Sequence, residues 1–339
     1  MKDKLENIAK SILNSFLIED ERESIEMLSD FYSGISNTFI KNESNNEVTL
    51  QGGIALSTAH AANCLNDSSR TARFIKGTYF AIKELKKRFP NERVDILYAG
   101  CGPYATILLP LLPLFSKDDF SVTFLDINEA SVVSVKSILE GLGLMEYVRE
   151  IIKGDAITYK YDKMLPLHMV ITETMYNALT REPQVAITAN LAPQLVQNGI
   201  LIPEAISLDA TCTFFVKERY YRNDTNENAI PDKVEKLPLG NLFTLTKENN
   251  FLGIMTNNSF QFESEYYQLP KNFSQYPDVC VFTKIKIFDI VELNSAESLI
   301  TNPICVGSLY NAADSAGFKL VFDFKNIPDW KIKFVVKED

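Results

Sequence analysis

The sequence predicts an α/β fold, in which a Rossmann-like doubly wound domain follows N-terminal helices and precedes an antiparallel β-rich domain. Strand and helix patterns alternate between residues 93 and 208, which is typical of a mostly parallel sheet covered by helices. Apolar residues then alternate at period two in residues 281–291, 319–324 and 330–336. This later pattern, with no strong helical pattern between its segments, indicates an antiparallel sandwich or barrel.

The N-terminal part is predicted to be helical. Its first helix carries apolar residues at helical spacing: Leu5, Ile8, Ile12 and Phe16. A second helix is expected over residues 25–32, and residues 41–53 form a polar connection. A third helix is predicted over residues 71–89, and Pro90 ends it.

The alternating part is predicted in this order: strand 93–99, loop-helix 103–115, strand 121–126, helix 129–141, strands 147–152 and 168–172, helix 184–195 and strand 198–208. Asn128 is suited to cap the helix start, and Gly141 and Gly143 are suited to end it. Residues 219–250 are polar and rich in turn residues, so we expect a projecting arm or a long loop there.

The length of 339 residues and a hydrophobic content of 46% are sufficient for two packed cores. We predict three parts: an N-terminal helical segment (1–75), the Rossmann-like domain (76–203) and the β-rich substrate and dimerisation domain (204–339). No apolar run reaches the roughly 18 residues of a membrane helix, and Lys10 and Asn14 interrupt any signal-peptide core. We therefore expect a cytoplasmic protein without a membrane partner.

Cysteine and histidine, the residue types typical of zinc sites, are few in this sequence. The five cysteines are scattered, and none has the spacing of a zinc site: Cys64, Cys101, Cys212, Cys280 and Cys305. His60 and His168 are the only histidines, and both are expected to be structural. We predict a reduced, metal-free protein. The net charge of −10 argues against a nucleic-acid partner and is compatible with a cationic substrate, but an ordinary acidic surface that keeps the protein soluble is the favoured explanation.

Three predicted strand ends carry residues suited to a nucleoside ligand. Gly100 and Gly102 follow the first strand, where a missing side chain lets a ligand approach the backbone. Asp126 ends the next strand and is placed to accept both ribose hydroxyl hydrogen bonds, and Asp155 follows the third and is placed near the adenine amino group. The third glycine of a dinucleotide fingerprint is Ala105 here. The set predicts S-adenosylmethionine (SAM) as the cofactor, and the alternative is a doubly wound protein that binds another nucleotide or no ligand.

Two further segments resemble the protein arginine methyltransferase family. Residues 65–71, Leu-Asn-Asp-Ser-Ser-Arg-Thr, are similar to that family's Leu-Lys-Asp-x-x-Arg-Thr segment. Residues 172–175, Thr-Glu-Thr-Met, are similar to its Ser-Glu-Trp-Met loop, and Glu182 follows Glu173 at the family's spacing of nine residues.

This resemblance implies a role for each matching residue. Arg70 would hold the methionine carboxylate of SAM in a bidentate pair. Glu173 and Glu182 would grip a guanidinium substrate beside Met175, so that one nitrogen faces the methyl group. The substrate would be an arginine of a peptide or protein, or a small guanidine. The resemblance also implies a homodimer.

The chain departs from the family pattern at three places. Pro103 and Tyr104 stand at the third glycine of the nucleotide turn, and Thr174 replaces the loop tryptophan. No histidine follows His168, so the Thr-His-Trp motif is missing and a His–Asp relay is excluded. Two alternatives stay open: a methyltransferase for another small N, O or C nucleophile, and a catalytically silent SAM-binding scaffold that dimerises through residues 219–250.

Overall fold

The computed structural model describes residues 1–36, 46–222, 234–248, 261–312 and 315–336. The N-terminal elements are α1 (Lys2–Asn14), α2 (Ile18–Ser36), a hairpin of β1 (Val48–Leu50) and β2 (Gly53–Ala55), α3 (Thr58–Asn63) and α4 (Ser68–Arg88). All three predicted N-terminal helices are confirmed. Leu5, Ile8 and Ile12 are buried, as their spacing predicts. Phe16 was wrongly assigned to this face, because it lies beyond the end of α1 and is exposed.

A five-stranded parallel sheet follows these helices. Its strands are β3 (Val94–Ala99), β4 (Phe120–Asp126), β5 (Val148–Lys153), β6 (Met169–Thr172) and β7 (Ile200–Ile202), and its helices are α5 (Glu129–Leu142) and α6 (Gln184–Leu191). The strand order β5-β4-β3-β6-β7 reverses at β3. Such a reversal opens a crevice at the carboxyl ends of the strands, where doubly wound proteins bind ligands. The predicted doubly wound sheet is confirmed.

Four local predictions need correction or refinement. The strand predicted over residues 198–208 is two strands, because the chain leaves the parallel sheet after β7, at the cis peptide before Pro203, and β8 (Ala205–Thr213) joins another sheet. Gly141 lies inside α5, and Gly143 alone ends it in the left-handed conformation (φ 66°). Residues 109–114 form a 3₁₀ helix within the predicted loop-helix, and α6 ends at Leu191 before a short 3₁₀ turn.

The C-terminal region contains two antiparallel sheets. The remaining strands are β9 (Leu237–Thr246), β10 (Gln261–Glu263), β11 (Tyr267–Gln268), β12 (Asp278–Phe288), β13 (Val291–Leu293), β14 (Ile304–Ser308), β15 (Ser315–Asp323) and β16 (Asp329–Val336). One sheet has the order β13-β12-β8-β9 with β14 on β12, and the other has the order β10-β15-β11 with β16 on β15. The predicted antiparallel β-rich region is confirmed.

Within the predicted arm, residues 237–246 were wrongly assigned, because they form β9 and pair with β8. Residues 223–233 and 249–250 of that prediction lie outside the described residues.

The N-terminal helices, the parallel sheet and the β-rich region share a continuous apolar core. Helix α4 crosses β12 so closely that a Cβ at Gly77 would lie 2.4 Å from the Ile287 side chain. The predicted boundary at residues 75/76 falls inside α4, and that at 203/204 falls between β7 and β8. The three-part division stays a prediction. In the described ranges no helix is both long and apolar enough to span a membrane.

Candidate active site

One cleft opens at the carboxyl ends of the parallel strands and encloses about 1050 Å³ of empty space, part of it open to solvent. All eight site residues named from the sequence line it: Arg70, Gly100, Gly102, Asp126, Asp155, Glu173, Met175 and Glu182. They come from α4, from the ends of β3, β4, β5 and β6 and, for Glu182, from the loop before α6. The topology therefore brings together side chains that the sequence separates by more than a hundred positions.

The turn after β3 is fixed by its glycines. Gly100 and Gly102 have φ angles of 68° and 62°, in the region that disfavours other residues. A Cβ at Gly100 would lie 2.4 Å from the Cγ2 atom of Thr174. Tyr104, which stands where the family has its third glycine, stacks on Tyr32 of α2 with ring centroids 4.7 Å apart. Helix α2 thereby covers the turn.

Asp126 is held rigidly at the end of β4. It is buried, and its two oxygens accept the backbone N–H groups of Gly102 and Asn128, each at 2.8 Å. Burial raises the pKa of Asp126, while these hydrogen bonds lower it. Each carboxylate oxygen can accept a second hydrogen bond, so capacity for ribose hydroxyls remains. Asp155 is partly buried and accepts the N–H of Ile157 at 2.8 Å.

Arg70 and Glu173 form an ion pair inside the cleft. The Nη2 group of Arg70, in the first turn of α4, donates to Oε2 of Glu173. Both side chains are largely buried, with 15% and 3% of their surface exposed. Oε1 of Glu173 is buried and has no hydrogen-bond partner within the described residues. Because an unpaired buried carboxylate oxygen is costly, this atom is an acceptor suited to a donor from a ligand.

Glu182 is the second carboxylate of the cleft. It is buried, and burial raises its pKa to about 7, although the charges of Arg70 and Arg181 lower it. The Arg181 side chain does not bond Glu182, because it turns outward and its Nη2 donates to Glu47 at 2.5 Å. Because this pKa lies near neutral pH, a cation that enters the cleft would favour the ionised form of Glu182.

A clamp that no sequence motif indicated holds the loop between the two glutamates. Gln184, buried at the start of α6, accepts hydrogen bonds from the N–H and Oγ1 of Thr174 at 2.9 and 3.1 Å. Its Nε2 donates to the carbonyl of Thr172 at 3.2 Å. Gln184 therefore ties both sides of Glu173 to the helix that follows Glu182. No signal in the sequence distinguished Gln184 from Thr188 and Asn190, the other polar residues of this helix.

The same loop is fastened to the β-rich region. The N–H of Ala178 donates to Oγ1 of Thr283 in β12 at 3.0 Å, and the indole N–H of Trp330 in β16 donates to the Ala178 carbonyl at 2.9 Å. Ala178, Leu179 and Arg181 have left-handed φ angles of 52°, 59° and 65°, which cost energy in residues other than glycine. The surrounding contacts hold the loop in this strained shape. Met175 is 2% exposed and packs at its base.

Neither histidine lines the cleft, whereas Cys64 and Cys101 do, and Cys64 lies beside Arg70. His168 is buried outside the cleft, and its Nδ1 accepts the N–H of Asp95 at 2.9 Å, which confirms its structural role. His60 lies on α3, partly exposed, with Nδ1 3.6 Å from Glu47. All five cysteines are free. The described residues contain no cluster of His, Cys, Asp or Glu that could hold a metal ion.

The sequence matches no protein-family model and no curated protein. Its structure is similar to the Trypanosoma brucei PRMT1 enzyme-prozyme heterotetrameric complex with AdoHcy, with a TM-score of 0.51, 12% identity, and coverage of 83% of this chain and 99% of that chain. The chain has the fold of the protein arginine methyltransferases. Arabidopsis thaliana protein arginine methyltransferase 10 shares this fold, with a TM-score of 0.52, 10% identity, and coverage of 81% and 97%. The arginine methyltransferase fold includes both the parallel sheet and the β-rich region of this chain.

Proposed function

We propose that the protein is a SAM-dependent methyltransferase that methylates a guanidino nitrogen of a cationic peptide, protein or small guanidine. The observation that carries the proposal is the pair of buried carboxylates that line the cleft, Glu182 and Glu173, the latter with its unpaired oxygen Oε1. Two carboxylates with spare acceptors match a planar cation that has several N–H donors.

The residues at the strand ends fit the cofactor. The positive-φ glycine turn leaves its backbone open to the ligand, Asp126 keeps acceptor capacity, and the Arg70 guanidinium is buried in the same cleft. Arg70 can bind the carboxylate of the methionyl group while its contact with Glu173 is retained, because a guanidinium has five donors. When bound, SAM supplies an electrophilic methyl group on its sulfonium.

The chain's own task is then to align and desolvate the acceptor. A guanidinium is a weak nucleophile because its charge is delocalised and its pKa exceeds 12. Carboxylates on two sides localise that charge and hold one nitrogen toward the methyl group, which is catalysis by orientation. A cation between Glu173 and Glu182 favours the ionised form of Glu182, and this carboxylate can accept the proton that the methylated nitrogen must lose. No histidine is needed for this proton transfer.

The test is to incubate the protein with SAM and a panel of arginine peptides, free guanidines and simple amines, and to follow the product mass. A gain of one methyl group on guanidines that is lost in Glu173→Gln would support the proposal. Methylation of a different class of acceptor would support the assignment of the cofactor and would show that the proposed substrate is wrong. If the protein binds SAM but transfers no methyl group, and Glu173→Gln behaves like the original protein in every assay, the result would favour the silent scaffold. The homodimer is a further proposal, which light scattering of the purified chain tests.

A further inference from the structure

Asp67 is a buried carboxylate that lies outside the cleft and has no direct role in the proposed reaction. It is 1% exposed and precedes α4, where its Oδ1 accepts the N–H of Arg70 at 3.3 Å and caps the helix. Its Oδ2 accepts the hydroxyl of Ser298 at 2.7 Å and the N–H of Leu299 at 2.8 Å. Asp67 therefore joins the helix turn that carries Arg70 to a segment of the β-rich region.

That segment, residues 294–302, follows β13 and is itself well fixed. Ser298 and Thr301 are fully buried, and Oγ1 of Thr301 accepts the N–H of Ser298 at 3.1 Å. One turn along α4, Nη1 of Arg73 donates to the carbonyl of Glu292 at 3.1 Å and to the Glu297 carboxylate at 2.5 Å. The helix is thus held to this part of the β-rich region on both sides of Arg70.

The chemistry of the Asp67 carboxylate makes it hard to replace. Burial raises its pKa, and the charge of Arg70 and the hydrogen bonds from Ser298 and Leu299 oppose that effect. Two of its three donors are backbone N–H groups, which cannot reverse their direction. An amide in its place offers one acceptor oxygen and a donor group, so at least one of these buried N–H groups would lose its acceptor.

We infer that Asp67 is a positioning residue for Arg70, because it fixes the first turn of α4 against residues 294–302 and so aims the guanidinium into the cleft. This inference rests on the proposed function for the role of Arg70 toward the cofactor. Arg70 has a long, flexible side chain that loses much rotational freedom when it is held. An anchored helix start lowers that cost at the backbone, and the ion pair with Glu173 lowers it at the guanidinium.

The experiment measures the affinity of the full chain for S-adenosylhomocysteine by calorimetry, at a temperature where circular dichroism shows every variant folded. Asp67→Asn should weaken binding about tenfold, and Ser298→Ala, which removes one of two bonds to Oδ2, about threefold. Ser264→Ala is the matched control. Its hydroxyl is also buried in the β-rich region and accepts a backbone N–H, that of Leu320 at 2.9 Å, but it does not touch α4. It should leave the affinity unchanged.

A double-mutant cycle separates positioning from general support of the fold. If Asp67 acts through Arg70, then Asp67→Asn should cause little further loss in a protein that already carries Arg70→Ala. An equal loss in both backgrounds would overturn the inference. The inference would also be overturned if Asp67→Asn bound S-adenosylhomocysteine normally while Arg70→Ala bound it weakly. That result would not affect the proposed function. A normal affinity of Arg70→Ala would instead refute the cofactor role of Arg70, on which both proposals depend.

Discussion

Arg70 and Glu173 lie 103 residues apart in the chain and form a buried ion pair inside the cleft. Arg70 belongs to the helix before the parallel sheet, and Glu173 follows β6 at the sheet's carboxyl edge. The pair connects the cofactor side of the proposed site to its acceptor side. It uses only one oxygen of Glu173, so the other remains available for an acceptor cation. Variants of these residues should therefore affect cofactor binding and acceptor binding to different extents.

The substitution Glu173→Gln should abolish most activity while it keeps the cleft's shape. The amide loses the charge that localises the guanidinium, and we expect kcat to fall by about a thousandfold, as when a preorganised electrostatic contact is removed. Affinity for S-adenosylhomocysteine should change much less than kcat, because the amide oxygen can still accept from Arg70 and Asp67 still caps its helix. The check is initial-rate mass spectrometry together with calorimetry. Glu47→Gln, which changes a carboxylate that pairs with Arg181 and does not line the cleft, is the control. A similar loss in both variants would contradict the prediction.

Glu182 should make the protein's stability depend on pH. Its folded-state pKa of about 7 lies above the ordinary value of 4.5, so the folded state binds its proton more tightly than the unfolded state does. The free energy of unfolding should therefore fall as pH rises from 4.5 through about 7, by roughly 3 kcal/mol if Glu182 acts alone. Glu182→Gln cannot ionise and should lack this decrease.

Urea unfolding of both proteins at about pH 5 and about pH 8 measures this difference, since the other titrating groups are common to both. At the higher pH the variant should be the more stable protein. Identical pH dependence in the two proteins would show that Glu182 ionises normally in the folded state.

The parallel sheet and the cofactor side of the cleft were predictable from sequence because local patterns determine them. Strands β3 and β4 are buried along their whole length, and most of their residues are apolar. The residue that follows each strand then lies at one edge of the sheet by topology alone. Gly100 and Asp126 could be placed for this reason before any contact was known.

The links between distant parts were not predictable in this way. The bond between Asp67 and Ser298 spans 231 residues and depends on how the β-rich region packs against α4. Strand β9 was mistaken for part of an arm because most of its residues stay at least partly exposed and polar residues interrupt its alternation. The predicted strand 198–208 ran through Pro203, although the chain changes sheets there. In each case tertiary packing decides between structures that the local sequence permits.

The glycine at position 100 should be irreplaceable for cofactor binding. Gly100→Ala adds a Cβ 2.4 Å from Thr174 to a residue with a φ angle of 68°, so the turn and the neighbouring loop must both shift. We expect the affinity for S-adenosylhomocysteine to fall by more than about tenfold. Gly141→Ala is the control, because Gly141 lies inside α5, where an added Cβ would meet no atom of the described residues within 4 Å. That change should stabilise the protein by up to about 1 kcal/mol. Equal binding by both variants would contradict the prediction.

Gln184 should affect binding of the methyl acceptor but not binding of the cofactor. Gln184→Ala leaves the buried N–H of Thr174 without its partner, and this should lower the free energy of unfolding by about 1–3 kcal/mol. Because the same bonds hold Glu173 toward the acceptor, the KM for a guanidine substrate should also rise. Gln194→Ala offers a matched comparison, since its amide likewise bonds backbone groups, the N–H of Tyr161 at 2.9 Å and the carbonyl of Tyr159 at 3.1 Å, but lies outside the cleft. It should cost similar stability and leave the KM unchanged. If both variants raise the KM equally, the loss reflects general destabilisation and Gln184 has no specific role in shaping the acceptor site.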